Sequence, residues 1–300
     1  MPKALKEVPN CGDYSGLKTL LNATLSLLQQ KTSYIIIKKS SVTIPSRNHI
    51  VANTVIENLD LKINGHQVHY LKAGTGSPVV LLHGGASDSN DWVETMTALS
   101  QSYTFYAPDM LGYGLTDRDK PGYYLSEFVE FAFDFIRTLG LDSVALVGHS
   151  IGGRVCLEIA LQHPEMVRRL VLIDTVGFAR LARWGTFLGA AAWAIRGMLR
   201  RPQPYPRFLK KDGEDKDWRC LDKLTTLKVP TLVVWSSRDP YYPLKEAIQA
   251  KHLIPGVRFE VFPGYGHAPH AKNRDYFNNL LLNYLDHDRP VEPQKQVPTF

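Results

Sequence analysis

Six short runs of this 300-residue chain, PVVLL, YTFYAP, VALVG, LVLI, TLVVW and FEVFP, are predominantly apolar. A strand with one wet face alternates apolar and polar residues. Runs this continuous need cover on both faces, as strands of a parallel sheet between helix layers have. Helix-length segments fall among them, at residues 88–100, 125–139, 151–163, 243–252 and 273–286. The alternation predicts an α/β chain built on a doubly wound, mostly parallel sheet. Ahead of the first run, VIENLDLKINGHQVHYLKAG reads as two strands about Asn64-Gly65, a pair that favours a tight hairpin turn.

The alternation breaks once. About fifty residues separate LVLI from TLVVW, far more than a simple crossover needs. The expected organisation is a core over 51–176 and 227–288, a helical cap over 177–226, an N-terminal extension over 1–50 and a frayed tail over 289–300. In the extension, Leu17, Leu20, Leu21, Leu25 and Leu28 share one helical face. That helix docks on the domain in one reading and lies in a membrane interface in the other.

The net charge of +6 is local: Arg180, Arg183, Arg196, Arg200, Arg201, Arg207, Lys210 and Lys211 lie in one stretch without an acidic residue. The rest of the chain carries a small negative balance, which gives no footprint for nucleic acid. Cys11, Cys156 and Cys220 are widely spaced and form no paired motif. They suit a reducing, cytoplasmic setting and neither a disulfide framework nor a zinc motif. The glycines of GYGLTD do not make a dinucleotide fingerprint, and no phosphate-loop lysine occurs. No cofactor is expected.

Ligands of an open parallel sheet bind beyond the carboxyl ends of its strands. The residues that follow the apolar runs are His83-Gly84-Gly85, Asp109, Gly148-His149-Ser150, Asp174, Asp239 and His267. In GHSIGG, the serine between a buried strand and a helix fits a sharp, strained turn that lifts a nucleophile above the sheet. Gly148 and Gly152 keep strand and helix free to cross closely, and Gly153 lets the helix approach the sheet. The helix beginning at Ile151 points its unpaired N–H groups at the serine, as a developing oxyanion requires. A serine needs a base, and the base needs an acid to set its tautomer. His267 is the expected base and Asp239 the expected acid, with Asp174 as the rival; the order Ser150, Asp239, His267 suits this architecture. His83 and His149 are expected to orient loops, and His270 to begin the last helix.

The segments LLHGGAS, APDMLGYGLTD, VGHSIGG, LVVWSSRDPYYP and GYGHAPH, taken in this order, make the chain from about Val55 to Leu285 resemble the α/β-hydrolases. The likeness is to serine hydrolases of the carboxylesterase and lipase kind that carry an inserted cap. It implies an oxyanion hole made by the backbone N–H groups of Ile151 and Gly85. Ser150 departs from haloalkane dehalogenases and epoxide hydrolases, whose nucleophile is an aspartate. Carbon–carbon bond hydrolases of aromatic catabolism are similar too, but typically place asparagine before the serine and tryptophan after the histidine. His149 and Ala268 stand there in this chain.

Hydrolysis of a small carboxylic ester with an apolar acyl or alcohol group is therefore expected, through an acyl-enzyme. Carbon–carbon hydrolysis is the alternative within the fold, and a slow ligand receptor or scaffold the alternative outside enzymes. Cap residues Trp184, Phe187 and Trp193 either pack lid helices or line an acyl pocket. In the second case the nearby arginines would meet an anionic head group or, weakly, an anionic membrane surface.

Overall fold

The computed structural model describes residues 54–85, 87–120, 122–198, 219–264 and 266–286. The leucine-faced helix expected within 1–50 and the tail over 289–300 lie outside the described residues, as does the middle of the segment expected to form the cap. Among the described residues, no helix is long and apolar enough to cross a membrane.

Eight strands form one sheet: β1 (Glu57–Ile63), β2 (His66–Ala73), β3 (Ser77–Leu82), β4 (Tyr103–Pro108), β5 (Val144–His149), β6 (Val167–Ile173), β7 (Thr231–Ser236) and β8 (Arg258–Phe262). Their order is β1-β2-β4-β3-β5-β6-β7-β8. The hairpin β1–β2 and the pair β2–β4 are antiparallel, and all other neighbours are parallel. The hairpin turns where both central residues have positive φ, Asn64 at 48° and Gly65 at 89°, as a tight two-residue connection demands.

The continuous apolar runs divide their side chains between two cores. Val80 and Leu82 of β3, Val144 and Leu146 of β5, and Val233 and Trp235 of β7 face one of them. Val79, Leu81, Ala145, Val147, Leu232 and Val234 face the other. α1 (Val93–Leu99) and α8 (Arg274–Asp286) cover the second core, while α2 (Leu125–Thr138) and α3 (Ile151–Gln162) cover the first. α2 places Phe128, Phe131, Ala132, Phe135 and Ile136 on the sheet. The Glu127 carboxylate accepts from the Tyr124 amide at its first turn, and Gly140, at φ 66°, ends it.

FEVFP departs from the expectation of burial on both faces. β8 is the last strand of the sheet, and Val261 on it is 40% exposed. The helix expected over 243–252 is two single turns, α5 (Leu244–Ala247) and α6 (Ala250–Leu253). Between them Gln249 bonds to Glu246 and Lys251 to Ile248, a spacing of three that interrupts the α ladder. The tighter turn brings Ala247 and Ala250 together into the core, both fully buried.

After β6, helix α4 (Arg183–Met198) opens the inserted segment, and a 3₁₀ turn at Leu221–Thr226 leads back into β7. The start of α4 is pinned to the loop after β7: the Ala182 amide donates to the Tyr241 carbonyl at 2.7 Å, and Arg180 N–H donates to the Glu246 carboxylate. Gly185 permits that approach, since a Cβ there would sit 2.9 Å from the Tyr241 Cα. α7 (Pro269–Lys272) is a single turn leading into α8.

A close backbone contact joins β5 to α3. A Cβ on Gly148 would fall 2.4 Å from the Gly152 carbonyl oxygen. Gly148→Ala is expected to cost on the order of 3 kcal/mol or to prevent folding. Gly140→Ala, where a Cβ meets nothing within 4 Å and only the positive φ opposes it, is expected to cost about 1 kcal/mol. Urea unfolding of the two variants checks the difference.

Candidate active site

Ser150 stands between β5 and α3 at φ 54° and ψ −113°, a region that a residue with a side chain adopts only when its surroundings hold it there. The hold is visible in three backbone bonds. The Ser150 amide donates to Ile173 of β6 at 2.8 Å, and its carbonyl accepts from Arg154 and Val176, each at 3.2 Å. The surrounding glycines have separate tasks. Gly148 makes room for Gly152, Gly152 lies against the Leu82 and His83 carbonyls, and Gly153 lies against the Thr175 hydroxyl. Gly152 thus serves the contact between α3 and β3 as well as the turn itself.

His267 Nε2 lies 2.9 Å from the Ser150 hydroxyl oxygen, and His267 Nδ1 lies 2.8 Å from Asp239 Oδ2. Asp239 is buried, and its other oxygen accepts from the amides of Tyr241 at 2.7 Å and Tyr242 at 3.1 Å. The acid is therefore oriented by its own loop. The histidine loop is tied to that loop by the Gly264 amide donating to the Ser237 hydroxyl at 2.7 Å. Gly264 at φ 74° and Gly266 at φ 63° supply the left-handed bends that turn the chain back over the serine. The rings of Tyr241 and His149 each pack 5.0 Å from that of His267.

Asp174, the rival acid, ends β6 beside this array. Its oxygens accept from the Ser236 amide at 2.7 Å and contact the Ser236 hydroxyl at 2.9 Å, so Asp239 is the carboxylate in contact with the imidazole. Asp174 is strained, at φ 41°. Burial and the neighbouring Asp239 charge push its pKa up to about 7.

Asp109 is drawn away from the serine into a structural role. It contacts the His69 ring at 2.8 Å and accepts from the Ser89 and Leu115 amides at 2.7 and 2.9 Å. Burial pushes its pKa up, but the His69 bond and those amides outweigh it and leave a value of about 2. His83 is likewise structural: Nδ1 meets the Gly84 carbonyl at 2.8 Å and Nε2 accepts from the Met110 amide at 3.0 Å. Gly84 comes close to the nucleophile, since a Cβ on it would lie 3.4 Å from the Ser150 Cβ. Gly85, the expected second oxyanion donor, follows and is exposed. Ile151 opens α3, so its amide has no intrahelical acceptor.

The three expected pocket residues fare differently. Trp184 and Phe187 stack on each other with ring centres 5.4 Å apart and are 63% and 60% exposed. The side chain of Trp193 lies outside the described residues. Reading the sequence missed the Tyr241 and Tyr242 amides that hold Asp239. The motif D-P-Y-Y-P, an aspartate followed by turn residues, carried that signal.

A family model described as the alpha/beta hydrolase fold matches residues 77–201. The chain is 36% identical over 260 residues to a 2-hydroxy-6-oxo-6-(2'-aminophenyl)hexa-2,4-dienoic acid hydrolase of Metapseudomonas resinovorans, covering 74% of this chain and 88% of that one. Among solved structures, it resembles a serine hydrolase involved in carbazole degradation, with 26% identity, TM-score 0.63 and coverage of 77% and 99%. A carboxylesterase of Bacillus subtilis has a similar fold, with TM-score 0.64, 21% identity and coverage of 77% and 92%.

The raised Asp174 pKa makes a stability prediction. A carboxyl that titrates near 7 when folded and near 3.8 otherwise holds its proton more tightly in the native state. Stability is then lost as pH rises between those values. Wild-type protein is expected to lose stability from about pH 5 to about pH 8, and Asp174→Asn to lose less. Denaturant midpoints of both proteins at both pH values check it.

Proposed function

The chain belongs to the α/β-hydrolase fold family, and on that footing we propose that it is a serine-nucleophile hydrolase of carboxylic esters that carry an apolar acyl or alcohol group. The observation that carries the reading is the continuous relay from Asp239 through His267 to Ser150, with contacts of 2.8 and 2.9 Å. His267 takes the hydroxyl proton as the Ser150 oxygen bonds to the substrate carbonyl carbon. Asp239 holds the Nδ1–H tautomer and offsets the charge of the imidazolium. The backbone N–H groups of Ile151 and Gly85 receive the oxyanion, a contribution of about 3 kcal/mol for each donor. The imidazolium then gives its proton to the leaving alcohol, whose bond to carbon breaks and leaves an acyl-serine. Water, deprotonated by His267, releases the carboxylic acid and restores the serine.

The start of α4 supports an apolar substrate part. Gly185 rests on Tyr241, whose ring packs on His267, so the Trp184–Phe187 pair is carried on a helix anchored at the edge of the site. These rings are proposed to meet the apolar group as it enters, which their exposure leaves them free to do.

Carbon–carbon hydrolysis is a second reading, favoured by the 36% identity to a dienoic acid hydrolase. The same serine, base and acid would serve it. Against it stand His149 and Ala268, where such enzymes typically carry asparagine and tryptophan. Rates on a p-nitrophenyl ester series and on a vinylogous diketone separate the two, and faster cleavage of the diketone would replace the ester reading. In either case Ser150→Ala is expected to lower turnover by a factor on the order of 10⁴ to 10⁶. Wild-type protein is expected to react with a fluorophosphonate. A chain that neither labels nor turns over would be a receptor, not an enzyme.

A further inference from the structure

Behind the Ser150–His267 pair lies a second cluster that the hydrolytic relay does not use. His149 ends β5, His270 lies in the turn α7, and Asp91 sits in the 3₁₀ turn Ser89–Trp92. One ligand atom from each of the three lies within 4.8 Å of the others. The two rings pack with centres 4.6 Å apart.

The hydrogen-bonding state of the histidines is what makes the cluster unusual. His149 Nε2 meets the His267 carbonyl oxygen at 2.5 Å. A carbonyl only accepts, so the proton of His149 is on Nε2, and Nδ1 presents a lone pair. That Nδ1 is buried and has no hydrogen-bond partner among the described residues. His270 is 2% exposed, and neither of its nitrogens has a partner among the described residues. Buried polar atoms are nearly always paired with protein, water or an ion. A buried, unpartnered nitrogen from each ring, brought near the Asp91 carboxylate, therefore marks a place where a ligand can bind.

The surroundings narrow the choice of ligand. Trp92 stacks on His270 with ring centres 4.9 Å apart, and Phe277 meets its edge at 5.7 Å, so the ring is held in place. Gly84 packs directly against the His149 ring, which a Cβ there would meet 2.6 Å from Nδ1. Asp91 lies at the exposed side of the cluster, although burial of its carboxyl pushes its pKa up, and Ser87 bonds to the carboxylate. Burial and neighbouring histidines hold His149 and His270 well below the usual histidine range, the latter at about 3. Both are thus neutral ligands near neutral pH. Arg274, whose charge also lowers the His270 pKa, is paired with Glu94 at 2.8 Å.

We propose that Asp91, His149 and His270 bind a divalent transition cation, with zinc the ion this donor set suits best. Two neutral imidazoles and one carboxylate, with a water in the fourth position, match a recurrent zinc set. A histidine ligand that donates its other N–H to a backbone carbonyl is the usual outer-shell arrangement of such sites. Tetrahedral ligands stand about 3.4 Å apart, so the cluster must tighten by roughly 1 Å. The Asp91 side chain, exposed on a short turn, can supply that movement.

The ion would sit one hydrogen bond from the backbone of His267. Its charge opposes the imidazolium that forms there when Ser150 attacks, so bound zinc inhibits. This consequence rests on the hydrolase reading, whereas the binding itself does not.

The test uses metal-free full-length protein with zinc alone, followed by equilibrium dialysis and metal analysis, and with cobalt as a spectroscopic substitute. One tightly bound ion and an intense, tetrahedral cobalt spectrum are expected. Asp91→Asn should weaken binding at least tenfold, and His270→Leu should abolish it. The exposed Asp91 variant keeps the test open if the buried one does not fold. Absence of binding, or binding that neither variant alters, overturns the site. Zinc that binds without slowing ester turnover overturns the link to His267. If the chain shows no turnover at all, the hydrolase reading fails and the dialysis result alone decides the site.

Discussion

Everything about the site depends on how closely two backbones approach at the turn from β5 into α3. A methyl group on Gly148 would fall 2.4 Å from the Gly152 carbonyl oxygen, and one on Gly152 would fall 2.4 Å from the Leu82 carbonyl oxygen of β3. That crossing leaves Ser150 at φ 54°. The conformation is unfavourable for any residue with a side chain. It persists because the serine's own amide and carbonyl are tied into β6 and into the loop after it. The strain lifts the hydroxyl out of the sheet, where a base can reach it.

The remaining parts reach the serine through loops that brace one another. Asp239 is oriented by two amides of its own turn, and the His267 loop is fastened to the same region through Ser237. Helix α4 docks on that region as well, through Ala182 and Gly185. One short stretch after β7 thus carries the acid, steadies the base and anchors the inserted segment. A relay with contacts of 2.8 and 2.9 Å needs such bracing, because loss of alignment by about 1 Å is costly to proton transfer.

The electrostatics sort the ionisable groups by what surrounds them. Asp109 is held ionised by amides and by His69, whereas Asp174, buried beside Asp239, is pushed towards neutrality. His149, His270 and His83 are kept neutral chiefly by burial. A neutral imidazole layer under the base places no fixed positive charge beside the imidazolium expected at His267.

The parallel sheet, the hairpin at Asn64-Gly65 and the order of nucleophile, acid and base were legible along the chain. Hydrophobic period, turn chemistry and motif spacing are local properties of sequence. Where local reading failed, a neighbour decided. Val261, on the last strand β8, is exposed, and the expected 243–252 helix breaks so that Ala247 and Ala250 can be buried together. Asp239 was the expected acid and Asp174 its rival, since both follow apolar strands. Only the fold shows one of them occupied by Ser236 and the other facing His267. The grouping of Asp91, His149 and His270 was likewise invisible, because ligand geometry is a matter of distance in space and these residues come from three separate segments. Sequence determined which strands, glycines and reactive side chains the chain would have. Tertiary structure decided which of those side chains meet, because hydrogen bonds and burial act over ångströms and not along the chain.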